Sequence, residues 1–180
     1  VWFRVAKVGT VTTRKILRQS HHRLDVPMGL WLEFNVEDYQ DYFKFAFARN
    51  PWDRMVSCWL EKVCKKNYFG LHENKLLEAR NNFLYFLRWV ESKDLNQADQ
   101  HLRLQTALFP IEHLDFLGRM ETFAKDMARV IERLEIEREE IPKLNTSPPR
   151  THYRDYYNDE TRDLVASFYA QDIELLGYEF

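Results

Sequence analysis

The sequence predicts an α/β domain, P-loop-like and three-layered, with a mainly parallel central sheet flanked by helices and a helix-rich C-terminal half. Three observations predict it. Short apolar runs of strand period alternate with longer runs of helical period, the junctions carry turn and capping residues, and the later half of the chain is dominated by helix-period patterns. A length of 180 residues with 45% hydrophobic and 15% aromatic content suits one compact domain spanning 1–180.

The elements follow in order. Val1 to Ala6 reads as a first, buried strand ending at a Lys7–Gly9 turn. A helix is predicted from about Val11, with Ile16 and Leu17 on its apolar side and Thr10 or Thr12 as its cap, because a hydroxyl accepts the orphan N–H groups of a first turn. Pro27 and Gly29 break order in residues 21–42, and a short helix is expected in Val36–Tyr42. Phe43–Ala48 is a second strand. It stops at Arg49-Asn50-Pro51, where Asn50 is an N-cap, Pro51 fits the first helical position and Asp53 favours the positive helix end. That helix is predicted to reach about Lys66. Asn82 is a cap for Phe83–Glu91, Asp99–Leu108 reads as helical, and Asp115–Arg119 as a short strand. Thr122 caps a long amphipathic helix to about Leu134, Asn145–Arg150 is a loop, and Asp159–Leu176 is the last helix, ended by Gly177.

Composition excludes several classes. No apolar run approaches the roughly 20 residues that cross a bilayer, so no membrane segment is read in these residues. Cys58 and Cys64 are too few for a disulfide framework and no metal-ligand spacing is present, so a reducing compartment is expected. The chain opens on Val1 within an apolar run, and an N-terminal segment is expected to precede it. Charge is distributed unevenly. Arg4, Lys7, Arg14, Lys15, Arg18 and Arg23 are met by no acid in residues 1–24, and residues 44–66 are also net basic, within a chain of net charge −2. Two separate basic stretches in an otherwise acidic chain suit a small polyanion held at one place, whereas nucleic acid needs a broad basic face.

The chemistry concentrates in these two stretches. The order strand, Lys7-Val8-Gly9-Thr10-Val11-Thr12-Thr13, helix has the logic of a phosphate-binding loop without its G-x-x-x-x-G-K-[ST] spacing. It still offers a glycine turn, backbone N–H groups at a helix start, three hydroxyls and one ammonium, where the helix dipole favours an anion. Arg49 stands at the carboxyl end of the second strand, the edge where open α/β sheets bind ligands, and Ser57 lies two turns into the next helix. An arginine fork and a hydroxyl are both phosphate donors.

Together, K-V-G-T-V-T-T and F-K-F-A-F-A-R-N-P-W-D-R-M-V-S resemble the paired cofactor motifs of sulfotransferases that use 3′-phosphoadenylyl sulfate. The closer likeness is to the carbohydrate branch, with membrane-bound Golgi members and soluble bacterial relatives. It continues through Asp115–Glu121, Asn145-Thr146-Ser147, Tyr153, Tyr157 and Tyr169–Phe180, and so covers nearly the whole chain. The resemblance implies that Lys7 contacts the 5′-phosphate and its bridging oxygen. It also implies that the Val8–Thr13 backbone with Thr10, Thr12 and Thr13 holds the phosphosulfate, and that Arg49 and Ser57 grip the 3′-phosphate. Ala6 and Ala48 stand where the family often has Pro and Val, which removes no donor. The stretch Asp99–Gln105 matches a family segment in which an aromatic follows the His and Pro precedes the Gln, whereas Leu102 and Leu104 stand here.

The implied reaction is sulfuryl transfer from this donor to a hydroxyl of a carbohydrate or other small polar acceptor, with Lys7 stabilising the leaving oxygen and no metal required. The product would be 3′,5′-adenosine bisphosphate. A hydroxyl acceptor needs a base. The stretch between the motifs offers His21, His22, Asp25 and Glu33, of which Glu33 and His22 are favoured, with His101 as a third candidate. Cytoplasmic location is expected, or the Golgi lumen if an N-terminal anchor precedes Val1. The alternatives are an ATP-dependent small-molecule kinase with a degenerate loop, disfavoured by the missing G-K-[ST], and a non-catalytic nucleotide-binding or interaction domain.

Overall fold

The computed structural model describes residues 1–19, 35–137 and 151–180. The chain divides into two compact units: Val1–Ala48 with Phe109–Pro149, and Arg49–Leu108 with Arg150–Phe180.

The first unit carries a parallel sheet in the order β1-β2-β3, formed by Trp2–Phe3, Phe45–Ala48 and Phe116–Arg119. Trp2 pairs with Phe45, and Phe45 to Ala48 run in register with Phe116 to Arg119. All four residues of the central strand β2 are buried, as a strand covered on both faces must be. Its alternation of Phe and Ala sends large rings to one side only. The Phe47 ring packs 5.0 Å from that of Phe123 and lies over Gly118, where any Cβ would collide with it. The turn from β1 leads into α1 (Thr10–Gln19), which buries Thr12, Thr13, Ile16 and Leu17. A 3₁₀ turn at Met120–Thr122 leads from β3 into α5 (Phe123–Arg133).

Lys44, at the threshold of β2, is only 7% exposed. Its ammonium donates to the carbonyls of Tyr39, Gln40 and Tyr42 and lies 3.5 Å from Asp115, while its backbone N–H donates to the same carboxylate at 2.7 Å. One lysine thus ties the 3₁₀ turn Val36–Tyr39 to the starts of two strands.

The second unit is helical. It contains α2 (Pro51–Cys58), α3 (Glu73–Asn81), α4 (Phe83–Glu91), α6 (Asp159–Phe168) and α7 (Ala170–Leu176). Its core includes Trp52, Met55, Val56, Phe86, Leu87, Val90, Leu102, Val165 and Tyr169. Asn82 caps α4 by accepting from the Tyr85 N–H, as the sequence predicts.

Several expectations are corrected. The first strand is two residues long, and the second begins at Phe45, because the Lys44 N–H goes to the Asp115 carboxylate instead of a strand partner. The helix after Pro51 is α-helical only to Cys58 and continues as a π-helix over Trp59–Cys64. Residues 99–108 form turns rather than a helix, since side chains take the carbonyls that a helical ladder would use. Arg54 takes those of Gln100 and Arg103, and Tyr169 takes that of Leu102. The last helix is two, broken at Tyr169, whose φ of −114° and ψ of 26° leave the helical region. Thr122 does not cap α5; its hydroxyl donates to Asp126 at 2.6 Å. Thr10 does not cap α1 as expected, because it is already within the helix and its hydroxyl donates to the Val5 carbonyl. The loop read over Asn145–Arg150, with its Asn145-Thr146-Ser147 turn, lies outside the described residues.

Candidate functional site

In the first unit the site is built at the end of β1. Lys7 has φ of 72° and Gly9 of 74°, with Val8 between them on the ordinary side of φ. Backbone that alternates hand over successive residues turns its N–H groups into one concavity, the geometry of an anion nest. Glycine is required at position 9 twice over, by its φ and because a Cβ there would lie 2.7 Å from the Phe123 ring. Lys7, a side-chain-bearing residue in the left-handed region, stores strain of the kind found at functional positions. The nest opens onto α1, which has no acid in its first turn. The Thr10 and Thr13 hydroxyl protons are directed to the Val5 and Gly9 carbonyls, so these hydroxyls brace the turn and leave anion binding to backbone N–H groups and the ammonium.

Arg4 adds charge to the same strand end. Its Nε is buried with no hydrogen-bond partner, and burial, then the like charge of Arg14, lower its pKa. A buried orphan donor beside a second guanidinium fits an anionic ligand better than a neutral one.

In the second unit each residue of Arg49-Asn50-Pro51-Trp52-Asp53-Arg54 has a distinct task. Asn50 accepts from the Trp52 and Asp53 N–H groups and donates to the Glu179 carbonyl at 2.7 Å, which fixes the start of α2. Pro51 occupies the first turn, where its missing N–H costs nothing. The Trp52 indole donates to the Arg162 carbonyl. Asp53 accepts from Arg49 Nε at 2.7 Å, and Arg54, 2% exposed, holds the segment 100–103. Ser57 lies on the same helix and is 7% exposed.

Arg49 thus directly precedes the cap of α2 and Ser57 lies toward the other end of that helix, while Lys7 to Gly9 form the turn that leads into Thr10 to Thr13, the first residues of α1. Of the base candidates, His21, His22, Asp25 and Glu33 lie outside the described residues. His101 is described. Its Nδ1 is 2.6 Å from Asp99, which also accepts from the Tyr68 hydroxyl. Burial raises the Asp99 pKa, but hydrogen bonds from the His101 amide and ring outweigh it and hold the carboxyl below the usual range. Sequence reasoning missed Gln105 and Asp172, both 0% exposed, which support Arg49 from behind. Among the described residues no cluster of His, Cys, Asp or Glu is placed to hold a metal ion, and no helix is long and apolar enough to cross a membrane.

A parallel sheet whose strand end opens through a turn of left-handed Lys7 and Gly9 into a helix defines an α/β protein. The model of the sulfotransferase family matches residues 1–179, and the chain belongs to that family. Its activity is accordingly transfer of a sulfuryl group to an acceptor. No curated protein and no solved structure matches the chain.

Proposed function

We propose that the protein transfers a sulfuryl group from 3′-phosphoadenylyl sulfate to a hydroxyl of a carbohydrate or other small polar acceptor. The observation that carries the reading is the left-handed Lys7 and Gly9 nest at the start of α1, in a chain of this family. The residues fit such a donor chemically. The segment from Lys7 offers N–H groups and an ammonium for a phosphosulfate, and Arg49 with Ser57 offers a guanidinium and a hydroxyl for a phosphate.

When bound, the donor supplies a sulfuryl group on a 5′-phosphate, which departs as an anion. The N–H groups of the segment from Val8 would hold that phosphate, apart from the Thr13 N–H, which donates to the Gly9 carbonyl at 3.0 Å, and the Lys7 ammonium would stabilise the oxygen on which charge accumulates. Arg49 and Ser57 would hold the 3′-phosphate. His22 or Glu33 takes the proton from the acceptor hydroxyl as its oxygen attacks in line. Positioning and electrostatics supply the catalysis.

Lys7→Ala is expected to lower kcat by about 10²–10³, the usual loss when one charge-stabilising donor is removed, while 3′,5′-adenosine bisphosphate still binds. Arg49→Ala is expected to weaken that binding by about 1.5–3 kcal/mol, the range for a hydrogen bond to a charged group. Steady-state kinetics with labelled donor and calorimetry on the two variants check both. Full turnover in Lys7→Ala would remove the assignment.

A further inference from the structure

The strand β2 ends its ladder at Ala48, paired with Arg119, and the cap of α2 begins at Asn50, so Arg49 is the single joint between them. Beyond the ladder, the Gln105 side chain does for Arg49 what a neighbouring strand would do. Its Oε1 accepts from the Arg49 N–H at 3.0 Å and its Nε2 donates to the Arg49 carbonyl at 2.9 Å. A backbone N–H can only donate, which fixes the orientation of the amide. A primary amide offers an acceptor and a donor side by side in this way. Gln105 is held in turn by Asp172 of α7, fully buried. That carboxylate accepts from the Gln105 N–H at 2.8 Å, from the Thr106 N–H at 2.9 Å and from the Thr106 hydroxyl at 2.8 Å. The Arg49 backbone is thus clamped by Gln105, and its side chain is clamped by Asp53 at Nε.

We infer that Gln105, braced by Asp172 and Thr106, is a positioning residue for Arg49 that sets recognition of the donor's 3′-phosphate. This rests on the reading of Arg49 as the 3′-phosphate ligand. The amide touches no part of the nucleotide. It fixes the backbone direction from which the guanidinium departs, and a phosphate-binding fork loses its grip when displaced by a fraction of an ångström.

The test is the ratio of two affinities, for 5′-AMP and for 3′,5′-adenosine bisphosphate, which differ only in the 3′-phosphate. Calorimetry is run on the wild type, Arg49→Ala, Gln105→Met and Thr106→Val. Gln105→Met keeps the length and deletes both bonds to Arg49; Thr106→Val deletes only one bond to Asp172. Gln105→Met is expected to lower the discrimination by about tenfold, the scale of one charge-assisted contact, through the bisphosphate alone, and Thr106→Val to lower it by a few-fold. A purely structural role would lower the melting temperature and leave the ratio untouched, and that result overturns the inference. If Gln105→Met does not fold, Thr106→Val decides, and an unchanged ratio there overturns it equally. A wild type that does not discriminate, with Arg49→Ala without effect, removes the Arg49 reading and this inference with it. Discrimination lost in Arg49→Ala but kept in the other two removes the inference only.

Discussion

Lys7 carries two burdens that a single substitution separates. Its φ of 72° is costly for a residue with a Cβ, by roughly 1 kcal/mol, and glycine escapes that cost. Lys7→Gly is therefore expected to melt no lower than the wild type, and up to about 1 kcal/mol higher in stability, while sulfuryl transfer is lost. Thermal melts alongside an activity assay check the pair, and a clear loss of stability would show that the loop is not strained at this residue. The lysine, its glycine and the helix start were legible in the sequence because turn chemistry is local. The strain was not, since nothing in K-V-G announces that the residue two before the glycine is itself left-handed. The hydroxyl of Thr10 was misread for a related reason: a threonine at a helix start has the same sequence signature whether it accepts from the helix or donates to the preceding strand.

At the scale of elements, Asn50-Pro51 and Asn82 predicted their helix starts correctly, because a cap acts within three residues of itself. The residues 99–108 and the break at Tyr169 were not legible. Both depend on Arg54, Tyr169 and Asp172 reaching partners 46 to 67 positions away. The junction of Lys44 with Asp115 makes a measurable prediction of its own. The N–H bond from Lys44, then its charge, hold the Asp115 carboxyl below its ordinary 3.8 even though the group is largely in water. Because the folded value is depressed, the stability it contributes is present above about pH 3.8 and is lost as pH falls through the folded value. Asp115→Asn is expected to flatten the acid limb of a stability-against-pH curve, measured by urea melts between pH 2 and 6. A variant limb as steep as that of the wild type would contradict this role.

Taken whole, the chain belongs to the sulfotransferase family, and two basic stretches in an acidic sequence already suggested a compact polyanion as its ligand. The order of strand, loop and helix was readable because hydrophobic period and capping residues agree along β1, β2 and β3. What supports Arg49 from the far end of the sequence was not, as a buried glutamine or aspartate looks like any polar residue until its partners are known. The central claim is the proposal that the protein's donor is a doubly phosphorylated adenosine, with Arg49 as the ligand of its 3′-phosphate. Its most direct test is the shift in melting temperature of the whole chain with 3′,5′-adenosine bisphosphate, 5′-AMP and ATP in parallel. A ligand at 100 times its Kd stabilises by about 2.7 kcal/mol, and the account predicts a shift of that order for the bisphosphate at concentrations where AMP and ATP give little. Equal shifts for all three nucleotides, or none for the bisphosphate, would contradict it.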